Sequence, residues 1–271
     1  MYIILSILAG KRLDSVLADI TTYLPQVQEL GREEQALHIQ IYFQSCHCLM
    51  GLADNPTEMT GHAIPDAKAF ECEIGSLESK TSLVIYQVLQ TFLCSIFGEH
   101  ERGAQLALDR GDAFFQVTAG CPQAMLDTFH RGVSLFDMAR RTKKRKYKRA
   151  AKKTLLTMRK WAKQDNPNIL HTLTLLEAEQ LVLKGDKKNA SGKYEKSITL
   201  SIRQGMLQDA AFACERYGEY LLDEIKDEDK AMHYLRKSIG YYKDWGALAK
   251  VEQMNGKYSC WEVPHNIEIS Q

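Results

Sequence analysis

The amino-acid sequence predicts an all-α protein, built from antiparallel helix hairpins stacked into a right-handed solenoid. Three observations lead there. Proline and glycine are scarce, six and seventeen in 271 residues, while Leu, Ala, Lys, Glu and Gln abound, a balance that favours helix over strand. Apolar residues recur at steps of three and four through much of the chain, the spacing of one helix face. Near the C-terminus a pattern of alanine, large aromatic or leucine, and glycine positions occurs twice at a fixed interval.

The elements follow in order. MYIILSILAGKRL has an apolar run before Gly10 but no basic region ahead of it, so it reads as a helix entered partway, as though cut from a longer chain, and not as a secretion signal. No run reaches the roughly 18 to 20 apolar residues that cross a bilayer. GREEQALHIQIYFQSCHCLMGL predicts a helix broken at Gly51, and DNPTEMTGHAIPDAKAF, with two prolines and a glycine, predicts a loop. In SLVIYQVLQTFLCSIFGEHERGAQLALDRG, Gly98 separates an apolar helix from one carrying Ala104 and Leu108. AGCPQAM is a second loop, ahead of a helix from about Met125 to Arg140, and Asp165, Asn166, Pro167 and Asn168 break the chain once more.

The clearest periodicity lies beyond that break. Leu170, Leu173, Leu176, Ala178, Leu181 and Leu183 form a band ending at Gly185, and a second helix runs from about Lys187 to Gln204, stopped by Gly205. The next pair spans Leu207 to Glu224 and Asp229 to Trp245, closed by Gly246. A shift of 41 positions superimposes Ala190 on Ala231, Lys196, Ser197 and Ile198 on Lys237, Ser238 and Ile239, and Gly205 on Gly246. In this grammar Ala190 and Ala231 face a close helix crossing, and Tyr194, Ile198, Leu235 and Ile239 fill the space beside it. Gly205 and Gly246 then end the hairpins. Tetratricopeptide-like (TPR-like) units are built this way, here with a longer period. One TPR-like domain is expected over residues 1–271, less regular over 1–164, clearly repetitive over 165–258, with an irregular tail at 259–271.

The segments DAAFACERYGEYLL (209–222) and YYKDWGALAKVEQMNGKY (241–258) point further, as does the order LMGLADNP, FGEHERGA, SLFDMARRTKKRKYKRAAKK, NPNILHTLTLLEAE. Over roughly residues 13–258 the chain resembles the TPR-like helical region of large multidomain signalling proteins. In those proteins a kinase-like module and an AAA-type signal-transduction ATPase precede the repeats, and a sensor or histidine-kinase output follows. The resemblance implies a region whose neighbours carry the catalysis.

No catalytic, cofactor or metal site emerges from the residues. GDKKNASGKY (185–194) has six residues between its glycines where a phosphate loop has four, and Tyr194 follows the lysine instead of Ser or Thr. Cys46, His47 and Cys48 could offer zinc ligands, but no second cluster completes a set of four, so buried thiols are expected. The other histidines lack HExxH spacing, there is no GxSxG, and pairs such as Glu33 and Glu34 or Glu177 and Glu179 diverge on a helix. Seven cysteines, an odd number without a framework, suit reduced thiols in the cytoplasm or nucleus.

One stretch stands apart. RRTKKRKYKRAAKKTLLTMRKWAK (140–163) holds thirteen of the 35 Lys and Arg and no acid, so the rest of the chain is strongly acidic. Tyr147, Ala151, Leu155, Met158 and Ala162 step by four, four, three and four, an apolar stripe that turns the cations away from the core. The first reading is a solvated helix face, with acids elsewhere in the chain as partners. Residues Lys143, Lys144, Arg145, Lys146, Lys148, Arg149, Lys152 and Lys153 are the candidate patch for an anionic partner. Nuclear import or nucleic-acid contact through 143–149 is an alternative, and a basic amphipathic helix with Trp161 for calmodulin or an anionic membrane is another. The functional expectation is a non-catalytic scaffold or regulatory module without cofactors, whose concave surface binds a peptide, a protein or a neighbouring domain. A fragment of a signalling ATPase or kinase is the second reading, and a nucleic-acid-associated protein the third.

Overall fold

Helix ends in the repeats are fixed by local chemistry. In the computed structural model, which describes residues 2–76, 79–112, 115, 121–164 and 166–259, Asp186 and Asp227 cap two helices. Their carboxylates accept from the backbone N–H of Asn189 (3.3 Å) and Lys230 (3.0 Å), satisfying donors that the first helical turn leaves free. These caps also stand 41 residues apart, so the repeat extends to its boundary chemistry. At the other end Gly246 adopts φ +94°, in the left-handed region that a residue with a side chain enters only under strain.

The helices are α1 (Tyr2–Leu8), α2 (Leu13–Glu29), α3 (Glu33–Met50), α4 (Ala67–Ser76), α5 (Lys80–Ile96), α6 (His100–Arg110), α7 (Gln123–Thr142), α8 (Arg145–Ala162), α9 (Leu170–Lys184), α10 (Lys187–Arg203), α11 (Leu207–Tyr220), α12 (Glu228–Trp245) and α13 (Leu248–Tyr258). Among the described residues there is no strand. The protein is an all-α, TPR-like solenoid of antiparallel hairpins. Residues 119–120 of the AGCPQAM loop, Asp165 and the tail from 260 onward lie outside the described residues.

The hairpins pack as their small residues require. Ala190, Tyr194, Ala231 and Leu235 are fully buried, Ile198 nearly so, and Ile239 lies half-buried against the core. The crossing of α11 and α12 is closest at Gly218, where a Cβ would come within 2.6 Å of Leu235 Cγ. The helix expected to run to Glu224 instead gives way at Leu221 to a π turn (Leu221–Ile225). That wider turn ends at Lys226, whose φ of +65° takes the place a glycine holds at the other hairpin ends.

The odd-numbered helices α3, α5, α7, α9, α11 and α13 form the inner layer, and the hairpin partners α2, α6, α8, α10 and α12 lie outside it. A simple solenoid has contacts only between neighbouring repeats. Here α13 also packs on α3, Gln253 Nε2 donates to the carbonyl of Phe97 (2.9 Å), and Gln208 Nε2 donates to that of Leu8 (2.8 Å). One turn of the superhelix is thereby closed on itself.

The concave face is consequently filled. Every residue from Leu126 to Ala139 of α7 is buried, as are Val88 to Ile96 of α5 and Ala210 to Gly218 of α11. Phe129 and His130 meet Phe212 across the centre, with ring centroids 5.8 and 5.4 Å apart. The expectation of a concave peptide-binding surface is therefore corrected: side chains of the protein itself occupy that space, because the curvature is tight enough for opposite inner helices to touch.

Candidate interaction surfaces

With the interior closed, partners can reach the outer helices and the two mouths of the superhelix. The outer helix α8 carries the basic stretch. Tyr147, Ala151, Thr154, Leu155 and Met158 form its buried side, and Ala162 is half-buried. Lys143, Lys144, Arg145, Lys146, Lys148, Arg149, Lys152 and Lys153 are all exposed. Lys143 takes the left-handed conformation (φ +58°) that turns the chain between α7 and α8.

The expected acidic partners are found for only part of the stretch. Lys153 pairs with Asp112, and Arg159 reaches Glu177 at 3.0 Å. Arg140 and Arg141 turn inward to Asp137, at 2.9 and 2.6 Å. The other seven residues of the patch, together with Lys160 and Lys163, form no ion pair with the described residues. Lys146 instead lies 4.7 Å from the Tyr147 ring centre. Like charges so close on one helix repel, which makes the face receptive to an anionic surface.

The C-terminal ends of α5, α7, α11 and α13 surround a polar cavity of about 360 Å³. Its floor is an ionic cluster around Arg216. The guanidinium donates to Glu179 (2.9 and 3.3 Å) and to Glu219 (3.0 Å), and it lies 3.6 Å from Asp137 and 3.3 Å from His100 Nε2. Arg140 donates to Glu179 and Asp137, both at 2.9 Å, and the Tyr194 hydroxyl donates to Glu179 at 3.0 Å. Burial alone would raise the Glu179 carboxyl, but Arg216 and Arg140 outweigh it and hold it below the usual carboxylate range. Burial, reinforced by Arg216, lowers the His100 imidazole to about 4.

Such a cluster organises the core, and its histidines are not arranged as a nucleophile's base. Ser134 lies 3.4 Å from His100 Nδ1 and Ser95 lies 3.1 Å from His130 Nδ1. Both hydroxyls are buried, and the far nitrogen of His100 faces Arg216 where a nucleophile's base would need a carboxylate. His171 Nε2 meets Asp209 at 2.8 Å with no nucleophile given to its other nitrogen, Nδ1.

The weaker sequence candidates resolve into packing. Burial pushes the thiols of Cys46 and Cys48 up to about 12 and about 11. Both faces of α3 are covered there, because the loop over residues 57–64 folds back on Gln44, whose amide donates to Thr60 and accepts from Ala63 and Ile64. Among the described residues no group of three His, Cys, Asp or Glu could hold a metal. GDKKNASGKY forms the α9–α10 turn and the start of α10, with Tyr194 buried against Glu179. No helix of the described residues is long and apolar enough to cross a membrane.

Sequence reasoning missed the Asp186 and Asp227 caps and the Arg216 cluster. The caps had a signal, an aspartate three residues before an N–H in equivalent places of both hairpins. The cluster had none, since its members come from α6, α7, α9, α10 and α11. No curated protein and no solved structure matches the chain. Residues 126–260, from α7 onward, match the model of a family described as SNAP, soluble NSF attachment protein, and to that helical family this part of the chain is similar.

Proposed function

We propose that the chain is a single-domain, non-catalytic helical-repeat adaptor that binds the acidic surface of a protein partner through the outer face of α8. One observation carries this reading: the unpaired cations from Lys143 to Lys152 are exposed along the turn before α8 and its first turns, while the inner face is already filled. Isolated surface ion pairs contribute little, but an array of one sign raises the local potential and speeds encounter with an oppositely charged surface. The contiguous buried cluster from α1 to α13 supports one domain. The matched family is named for attachment to a protein, NSF, which favours a protein partner over nucleic acid, and free buried thiols suit the cytoplasm. A regulatory role beside ATPase and kinase modules of a signalling protein is a narrower version, supported by the order of segments from LMGLADNP to NPNILHTLTLLEAE. Sequencing the flanking transcript tests it, and intact phosphate-loop and kinase motifs are the outcome expected.

The adaptor reading is tested by immobilising the wild-type chain and a Lys144→Glu, Lys148→Glu, Lys152→Glu variant and passing cell extract over both. The wild type retains acidic proteins at about 50 mM salt and releases them as screening increases, and the variant retains at least about tenfold less. Equal retention by both, or material lost on nuclease treatment, overturns the proposal.

A further inference from the structure

Two regions of the chain carry opposite charge and are not joined within one molecule. From α2 through α4, residues 13–76 hold ten Asp and Glu against two Lys and Arg. Asp14 and Asp19 pair with Arg12 and Lys11, and the other eight carboxylates are exposed and form no ion pair with the described residues. Among them Glu29, Glu33 and Glu34 flank the turn between α2 and α3, and Glu73 of α4 borders the same groove as Glu33. Among the described residues the ion pairs of α8 go to Asp112 and Glu177, and none goes to α2, α3 or α4. Nine exposed cations, the seven unpaired residues of the patch with Lys160 and Lys163, therefore stand beside eight exposed carboxylates that they do not reach.

Each region also presents a leucine to water. Leu30, in the α2–α3 turn between Glu29 and Glu33, is 74% exposed, and Leu156 is 52% exposed. On α8, Arg149, Lys152, Leu156, Lys160 and Lys163 step by three, four, four and three, so the leucine sits midway along a row of cations. An apolar centre ringed by charge is the layout of a protein interface, in which the surrounding contacts keep water from the centre. A phosphate backbone offers such a leucine nothing. The formal charge of +1 leaves copies of the chain free of strong mutual repulsion, so the attraction between unlike patches governs their encounter.

We propose that the chain associates with a second copy of itself, α8 of one copy docking on the acidic end formed by α2, α3 and α4 of the other, with Leu156 against Leu30 and the cations against the carboxylates. The two surfaces differ, so the contact closes into a pair when both copies exchange it and otherwise adds copies head to tail. This contact rests on α8 being a docking face, as proposed above, and names an occupant for it.

Sedimentation equilibrium of the purified, nuclease-treated full chain reads the association. Expected is a mass that rises above the monomer with concentration at about 50 mM salt, and a dissociation constant at least about tenfold larger at about 500 mM. Charge reversal on either side, Arg149→Glu with Lys152→Glu and Lys160→Glu, or Glu29→Lys with Glu33→Lys and Glu73→Lys, weakens association at least about tenfold. An equimolar mixture of the two triple variants regains it, because each keeps the surface that the other has lost. Leu30→Ser, at unchanged charge, weakens it about three- to tenfold. The triple variant of α2–α4 leaves α8 intact, so it should still retain acidic proteins from extract while losing self-association; a monomeric wild type that retains them refutes this contact and leaves the adaptor reading standing. A monomer at every concentration up to about 100 μM at the lower salt, association unchanged by salt, by either triple variant or by Leu30→Ser, or a mixture that stays monomeric each overturns the proposal.

Discussion

The two mouths of the superhelix solve the same problem with opposite chemistry. Inner helices end at one mouth in their C-termini, where unsatisfied carbonyls carry partial negative charge, and Arg140, Arg141, Arg216 and Lys257 gather there with acidic partners. At the other mouth the N-terminal ends of α7, α9 and α11 meet α1, and the space is closed by isoleucine, leucine and phenylalanine. The difference teaches how a tightly wound solenoid seals its ends. Ionic closure demands that every charge keep its partner, whereas apolar closure tolerates a loose fit and leaves cavities.

Breaking the ionic mouth gives the largest effect. Arg216→Met leaves Glu179, which is fully buried, with Arg140 as its one cation beside the Tyr194 hydroxyl, and urea unfolding should show a loss of about 3–5 kcal/mol. Adding Glu179→Gln restores part of it, since the cost lies in an uncompensated charge. At the apolar mouth Ile4→Ala removes a buried side chain and should cost ~2–4 kcal/mol. That loss should be the same at low and high salt.

Acid separates the mouths further. His100 at the ionic end and His130 between the ends are lowered by burial to about 4 and about 3. The unfolded chain therefore takes up protons first as pH falls below about 6.5, and stability decreases by about 1.4 kcal/mol per pH unit for each ring until its folded value is reached. His130→Gln should flatten the slope by one proton in unfolding curves between pH 6 and 4.5, and an unchanged slope would contradict the assignment. The smallest effect belongs outside both mouths: Lys144→Glu with Lys148→Glu should move stability by no more than about 0.5 kcal/mol, while thermal melting stays cooperative.

Much of the repeat region was legible because its helices have two unlike faces. Ala190, Tyr194, Ala231 and Leu235 were readable as core from spacing alone, and Gly205 and Gly246 as stops. The apolar stripe of α8 was readable for the same reason. α7 was legible as a helix but not as the central one, since Asp127, His130, Arg131 and Asp137 look like surface residues. Their burial is made tolerable by partners remote in sequence, among them Arg110 for Asp127 and Gly111 for Arg131. Periodicity reports the polarity of a face, and a buried face that is polar but satisfied gives the same signal as a wet one. The apolar cavity beside α1 had no sequence signature for a related reason: its walls come from α1, α2, α3, α5 and the start of α7, segments remote from one another in sequence.

The packing of α13 on α3 and of Gln208 on α1 has a consequence for growth. Open repeat arrays gain or lose a hairpin at little cost, because each unit touches only those beside it. In this protein an extra hairpin would carry α13 past its seat on α3 and part the seam, so the number of units is set by geometry, and duplication within the gene would be expected to yield misfolded protein where other arrays simply lengthen.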